Sequence, residues 1–169
     1  MPTLKLVLDG LAEAIAADET AAAASFDARA TLVGVTEVDV TTGHHTFKVD
    51  EPEALGGTDL AANPVQLVLA ALGACQAITY KVWAAKLGIA IDGIEARVEG
   101  DIDLRGFFGI DESIRPGFTG IRLFVTLRGP ESPERYAELI DAVDVHCPVL
   151  DVVANPVPIE REVKIADPS

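Results

Sequence analysis

The sequence has few cysteines, few aromatic residues and few basic residues. It contains 2 cysteines in 169 residues, which is too few for a disulfide-rich scaffold. Aromatic residues make up 5% of the chain against 49% for all hydrophobic residues, so the core must be built from aliphatic side chains. The 13 lysines and arginines are outnumbered by 27 acidic residues, which gives a formal net charge of -14. This charge argues against nucleic acid and anionic membrane surfaces as partners.

A recognisable signal peptide is also missing from the sequence. The first residues, MPTLKLVLDG, lack a basic stretch followed by a long apolar run. The most apolar segment, residues 63–89, is interrupted by Gln66, Gln76 and Lys81, so we predict a core helix and not a membrane span. We therefore expect a cytoplasmic protein, in which two cysteines are catalytic, redox-active or simply buried.

Hydrophobic periodicity and turn residues predict a single α+β domain. Helices are predicted over 5–24, from Asn63–Pro64 to about Leu87 with Gly88 as the stop, from Ser132 over about 132–145, and as a short helix from Cys147–Pro148. Alternating apolar residues predict strands over 26–40, 45–50, 91–104, 119–129 and 155–165, with a loop over 105–118. The order of strands, long helix, strands, helices and strand is typical of the α+β class.

The two cysteines have different predicted settings. Cys75 lies in the middle of the long predicted helix, on the face of the apolar residues three, four and seven positions away. Cys147 precedes Pro148 at a predicted helix start, where free N–H groups and the helix dipole lower a thiol pKa. His146 could assist if its ring faces the sulfur. Two unrelated buried thiols are the plainer interpretation, and a functional thiol pair is the alternative.

Other sequence features give weaker indications. Gly73 in mid-helix predicts close approach of another backbone, and Gln66, Gly73 and Tyr80 form a small or polar seam that would suit a helix from elsewhere, such as a second copy. His44–His45 occupies a predicted turn without metal-ligand spacing, so no metal site is predicted. No phosphate-binding loop follows the glycines at 56–57, and no cofactor is predicted.

Four segments of the sequence together resemble the OsmC/Ohr family of osmotically inducible and organic hydroperoxide resistance proteins. They are DEPEALGG at 50–57, NPVQLVLAALGACQAITY at 63–80, GDIDLRGFFG at 100–109 and HCPVLDVVANPVPI at 146–159. The resemblance extends from about Arg29 onward and is greater to the OsmC-like branch. It implies an OsmC-like fold, with antiparallel sheets around a long central helix, in an interwoven homodimer. Residues 1–25 are then a helical extension, and 26–169 the OsmC-like domain.

The resemblance also implies a chemistry for the two thiols. Cys75 resembles the family's peroxidatic cysteine, which a peroxide oxidises to a sulfenic acid, and Cys147 resembles the resolving cysteine, which forms a disulfide with it. The implied partners are an organic hydroperoxide or hydrogen peroxide, a dithiol reductant and a second copy of the chain. The implied role is a cysteine-based peroxidase in the oxidative stress response.

The sequence departs from the family pattern at two places. Val65 stands where hydroperoxide-reducing members carry an acid, and no arginine aligns with the one that holds their first cysteine as a thiolate. Gln66, His146 and Arg29 are the supporting candidates, and an arginine at 105, 115 or 122, from this subunit or the other, is a conjectural replacement. These departures favour the alternative hypothesis of a non-catalytic dimeric binder of an apolar ligand, or a slow thiol redox sensor. A two-thiol metal site is a third and weaker interpretation.

Overall fold

A computed structural model describes residues 3–166 of the chain as an α+β protein. Its helices are α1 (Leu4–Ala17), α2 (Pro64–Leu87), α3 (Leu104–Phe107), α4 (Pro133–Asp144) and α5 (Pro148–Ala154), with short 3₁₀ turns at Glu19–Ala22 and Glu53–Leu55. Its strands are β1 (Arg29–Leu32), β2 (Val38–Thr42), β3 (His45–Val49), β4 (Gly93–Ile102) and β5 (Phe118–Arg128). The strands form two antiparallel sheets, in the orders β1-β2-β3 and β4-β5.

The central helix α2 begins and ends where its sequence predicts. Asn63 and Gln66 form a capping box, in which each side chain accepts a hydrogen bond from the other residue's backbone N–H, and Pro64 occupies the first turn. Gly88 ends the helix in the left-handed conformation, at φ 64°. The helix is long and apolar enough to cross a membrane by length and composition alone. Here it packs against β4, α4 and α5, as predicted for a core helix.

The core lies where the second half of α2 meets α4 and the β4-β5 hairpin. Its buried members are aliphatic apart from one tyrosine: Tyr80, Ala84, Ile89, Ile91, Leu139 and Val143. The core is aliphatic because the sequence contains few aromatic residues. The core therefore fixes the half of α2 that begins directly after Cys75.

Gly73 explains how β4 approaches α2. A β-carbon at this position would lie 3.3 Å from Val98 Cγ2 and 3.6 Å from the Ala96 carbonyl oxygen. The predicted close approach is confirmed, but the neighbour is this chain's own strand. The predicted seam for a helix from elsewhere stays a prediction, in which Gln66 is exposed and Tyr80 is buried in this chain's own core.

Three other predictions of secondary structure are wrong in part. The single strand predicted over 26–40 is two strands, since the backbone turns between Val33 and Glu37 and closes with a 2.8 Å hydrogen bond. The helix predicted over 5–24 breaks at Asp18, whose side chain caps a 3₁₀ turn instead. Residues 155–165 form no strand within the described chain, where Pro156 and Pro158 cannot donate to a ladder.

A buried carboxylate organises the loop that leads into α2. Asp50 is 1% exposed and accepts hydrogen bonds from the Thr36 hydroxyl, from the hydroxyl and N–H of Thr58, and from the Leu60 N–H. Gly57 allows the loop to close, because a β-carbon there would overlap the Glu51 carbonyl oxygen at 1.8 Å. The loop thereby sets the position at which α2 starts.

We predict that Asp50→Asn destabilises the protein at neutral pH. Hydrogen bonds from Thr36 and then from Thr58 hold the pKa of Asp50 well below its usual value, with a smaller contribution from Leu60. A lowered folded-state pKa gives stability that is present above the ordinary aspartate pKa of about 3.9 and is lost as the pH falls further. Urea unfolding from pH 7 downward should show a variant deficit that shrinks below about pH 4.

The matched control for this prediction is Asp59→Asn. Asp59 is exposed in the same loop, at φ 55°, which asparagine tolerates. The control makes the same charge change without removing a buried acceptor. Equal urea midpoints for the two variants at neutral pH would contradict the assigned role of Asp50.

Candidate active site

Cys75 lies half-buried on α2, at the border between the core and an exposed apolar face. Leu72 and Thr79 on either side are buried, whereas Val68 and Ile78 are 42% and 64% exposed. The Thr79 hydroxyl donates to the Cys75 carbonyl oxygen at 2.7 Å and lies 3.9 Å from its sulfur. The sulfur is therefore held on the core side while remaining within reach of a molecule on the apolar face.

Cys147 occupies the N-cap of α5, as the sequence predicts, but its side chain is buried. It is 2% exposed, and its N–H donates to the Val143 carbonyl oxygen at 3.0 Å. Its thiol donates to the sulfur of Cys75 across a separation of 3.5 Å, and both cysteines are free. Two thiols that are 72 positions apart in sequence thus meet in one site.

Opposing effects act on the pKa of Cys75. Burial has the largest effect and raises this pKa, and the neighbouring Cys147 raises it further. The backbone N–H of Val149, in the first turn of α5, and the Thr79 hydroxyl both lower it by hydrogen bonding to the sulfur. The net pKa is raised, and no basic side chain of residues 3–166 contributes to it. The Val149 N–H at the start of α5 thus lowers the pKa of Cys75, a residue of the neighbouring helix.

The three supporting candidates make their contacts with groups other than the two sulfurs. Gln66 is exposed and its amide oxygen is engaged in the capping box of α2. The His146 ring stacks on Trp83 at 4.1 Å, and its Nδ1 lies 2.7 Å from the Ala142 carbonyl oxygen. Arg29 is exposed on β1, paired in register with Thr41. None of the three is among the groups that shift the pKa of Cys75.

The later arginines differ in how they are engaged. Arg105 pairs with Asp103, and Arg122 pairs with Glu99 and Asp101. Arg115 has no carboxylate within salt-bridge distance among the described residues and lines a groove that also includes Val68, Val153 and Phe118. Val68 belongs to α2 and Val153 to α5, so this groove lies between the two helices that carry the thiols.

Gln76 is a site residue that the sequence pattern did not identify. It is 0% exposed, and neither atom of its amide has a hydrogen-bond partner within the described part of the chain. A buried, unpaired amide costs about 1–3 kcal/mol. The role of the Val149 N–H was also missed, since it depends on a contact between α2 and α5 that no local pattern encodes.

The described residues contain no group of three or more metal-ligating side chains. A central helix with one thiol and an adjoining helix start with the other define an α+β protein with a paired dithiol.

Residues 57–162 match the family model described as OsmC-like protein. The chain belongs to this OsmC family. A search of curated proteins gives no match.

Solved structures of the same family share the fold. The OsmC-like protein of Mycoplasma pneumoniae is 22% identical, with a TM-score of 0.68 over 79% of this chain and 89% of its own. The organic hydroperoxide resistance protein OsmC of Legionella pneumophila is 23% identical, with a TM-score of 0.59 over 77% and 89%. The organic hydroperoxide resistance protein OhrB of Bacillus subtilis is 26% identical, with a TM-score of 0.54 over 83% and 98%.

Proposed function

We propose that the protein is a thiol peroxidase that reduces organic hydroperoxides or hydrogen peroxide. The observation that carries the proposal is the 3.5 Å separation between the sulfurs of Cys75 and Cys147. Family membership and the organic hydroperoxide resistance proteins among its structural relatives support a peroxide-related redox role.

Cys75 is the peroxidatic residue in this proposal because it is the more accessible of the two thiols. Its thiolate attacks the terminal peroxide oxygen, so an S–O bond forms, the O–O bond breaks and the alkoxide takes a proton to leave as an alcohol. The Val149 N–H supports the thiolate against the effect of burial. The exposed Val68 and Ile78 offer an apolar surface for the organic part of the substrate.

Cys147 resolves the sulfenic acid. Its sulfur attacks the Cys75 sulfur, so an S–S bond forms, the S–O bond breaks and the hydroxyl leaves as water with the proton of the Cys147 thiol. The sulfurs must approach from 3.5 Å to the bond length of about 2.05 Å, which is a small movement. A dithiol reductant then opens the disulfide by thiol–disulfide exchange. Free thiols and this reductant suit a cytoplasmic location.

We further propose that the working form is a homodimer. Within residues 3–166 no helix and no other sheet packs extensively on the β1–β3 sheet, and Phe26, Val35 and Phe47 on or beside it are exposed. The 155–166 segment alternates apolar and polar residues, and its Ile159 and Ile165 are 89% and 96% exposed. A second copy that covers these surfaces would remove a large apolar area from water. It could also supply Arg115 or another cation to Cys75.

A non-catalytic binder of an apolar ligand, or a slow redox sensor, is the second candidate. The raised pKa of Cys75 and the presence of Val65 in place of an acid favour it. A lipid-like molecule that co-purifies with the protein, seen by native mass spectrometry, together with a Cys75 that titrates above the free value of about 8.5, would support this candidate.

We predict that Cys75→Ser lowers peroxide turnover by more than about 10³-fold, because a hydroxyl cannot form a sulfenic acid. Cys147→Ser should still reduce one equivalent of peroxide but should accumulate sulfenic acid. Coupled peroxide consumption with a dithiol reductant measures turnover, and trapping of the sulfenic acid followed by mass spectrometry measures the intermediate. Turnover by Cys75→Ser at the wild-type rate would exclude the proposed mechanism.

We predict that the protein in solution has twice its chain mass of 17.8 kDa. Ile159→Asp together with Ile165→Asp should reduce the mass to that of one chain, since both side chains are almost fully exposed and lose little packing within residues 3–166. Lys164→Asp, on the opposite face of the segment, is the control that should leave the dimer intact. Light scattering measures all three, and a wild-type mass of one chain contradicts the homodimer.

A further inference from the structure

Gln76 directly follows Cys75 on α2, and its amide is buried without a hydrogen-bond partner among residues 3–166. Native proteins pair nearly all buried polar side chains, so an exception in a folded protein calls for a reason. An apolar side chain of the same length, such as methionine, would fill the same space without an unsatisfied donor and acceptor. The unpaired amide therefore destabilises the reduced protein. We expect its function in an oxidised state of the site, in which the amide is paired.

Gln76 lies on the buried side of α2. Leu72 and Tyr80 are four residues before and after it, and all three are buried on the same side of the helix. Cys147 lies near this side, because its N–H donates to the carbonyl oxygen of Val143, and Val143 belongs to the same buried cluster as Tyr80. Gln76 thus directly follows the residue that carries the sulfenic acid, and it is buried on the side of α2 that meets α4, the helix that ends just before Cys147.

We propose that Gln76 hydrogen-bonds the sulfenic oxygen of Cys75 while the disulfide forms. This inference rests on the proposed peroxidase function. Oxidation adds one oxygen to the site, and a sulfenic hydroxyl can both accept from the amide Nε2–H and donate to the amide oxygen. The amide then donates to the oxygen as the S–O bond breaks, and the thiol proton of Cys147 completes the water that leaves. The amide is unpaired in the reduced form and paired in the sulfenic acid intermediate.

The test is Gln76→Met, compared with wild type in single-turnover reactions quenched at successive times. Alkylation and sulfenic trapping before mass spectrometry give separate rates for sulfenic acid formation and disulfide formation. The first rate should be unchanged and the second should fall about tenfold to a hundredfold, which is the effect of losing one or two hydrogen bonds to the leaving oxygen. With excess peroxide the variant should accumulate more sulfinic acid.

A purely structural role for Gln76 predicts a different result. Both rates should then be unchanged while the free energy of unfolding of the reduced Gln76→Met protein falls, and unchanged rates would overturn the inference while leaving the peroxidase function intact. Leu139→Met, a volume-conserving change in the same core, controls for altered packing. Gln76→Asn keeps the amide and should recover part of the second rate. A wild-type protein that forms no disulfide overturns the peroxidase proposal itself, and the inference with it.

Discussion

The start of α5 packs against the middle of α2, and the rest of the site depends on this contact. It brings Cys147 to 3.5 Å from Cys75, and it aims the Val149 N–H at the Cys75 sulfur. Val68 and Val153 line one groove, so α5 runs back along α2 toward the N-terminal end of the central helix. One packing contact therefore creates the thiol pair, its hydrogen bonding and the apolar groove beside it.

Burial determines which of the two thiols reacts first, and it also raises the pKa of that thiol. Cys147 is shielded from solvent, so a molecule that arrives from outside meets Cys75 first. The same burial raises the pKa of Cys75, which reduces the fraction of reactive thiolate at neutral pH. The Val149 N–H and the Thr79 hydroxyl offset this effect within the chain, and a cation from a second copy is the further source that the proposal invokes.

Local sequence signals predict the elements well, and long-range contacts account for what they miss. Asn63, Pro64 and Gly88 fix the ends of α2, and Cys147–Pro148 fixes the start of α5, because caps depend on neighbouring residues alone. The pairing of the two thiols was implied by a family resemblance and by no spacing rule. The orphaned amide of Gln76 could not be predicted, since a glutamine in an apolar helix has the same pattern whether it is paired or not.

The central claim is that Cys75 and Cys147 form one redox couple. It is tested most directly by adding one equivalent of an organic hydroperoxide to the reduced protein and identifying the product by intact mass and peptide mapping. The account predicts a mass loss of about 2 Da and a disulfide-linked peptide pair that contains Cys75 and Cys147. An unchanged mass, or a disulfide that joins Cys75 of one chain to Cys75 of another, would contradict it.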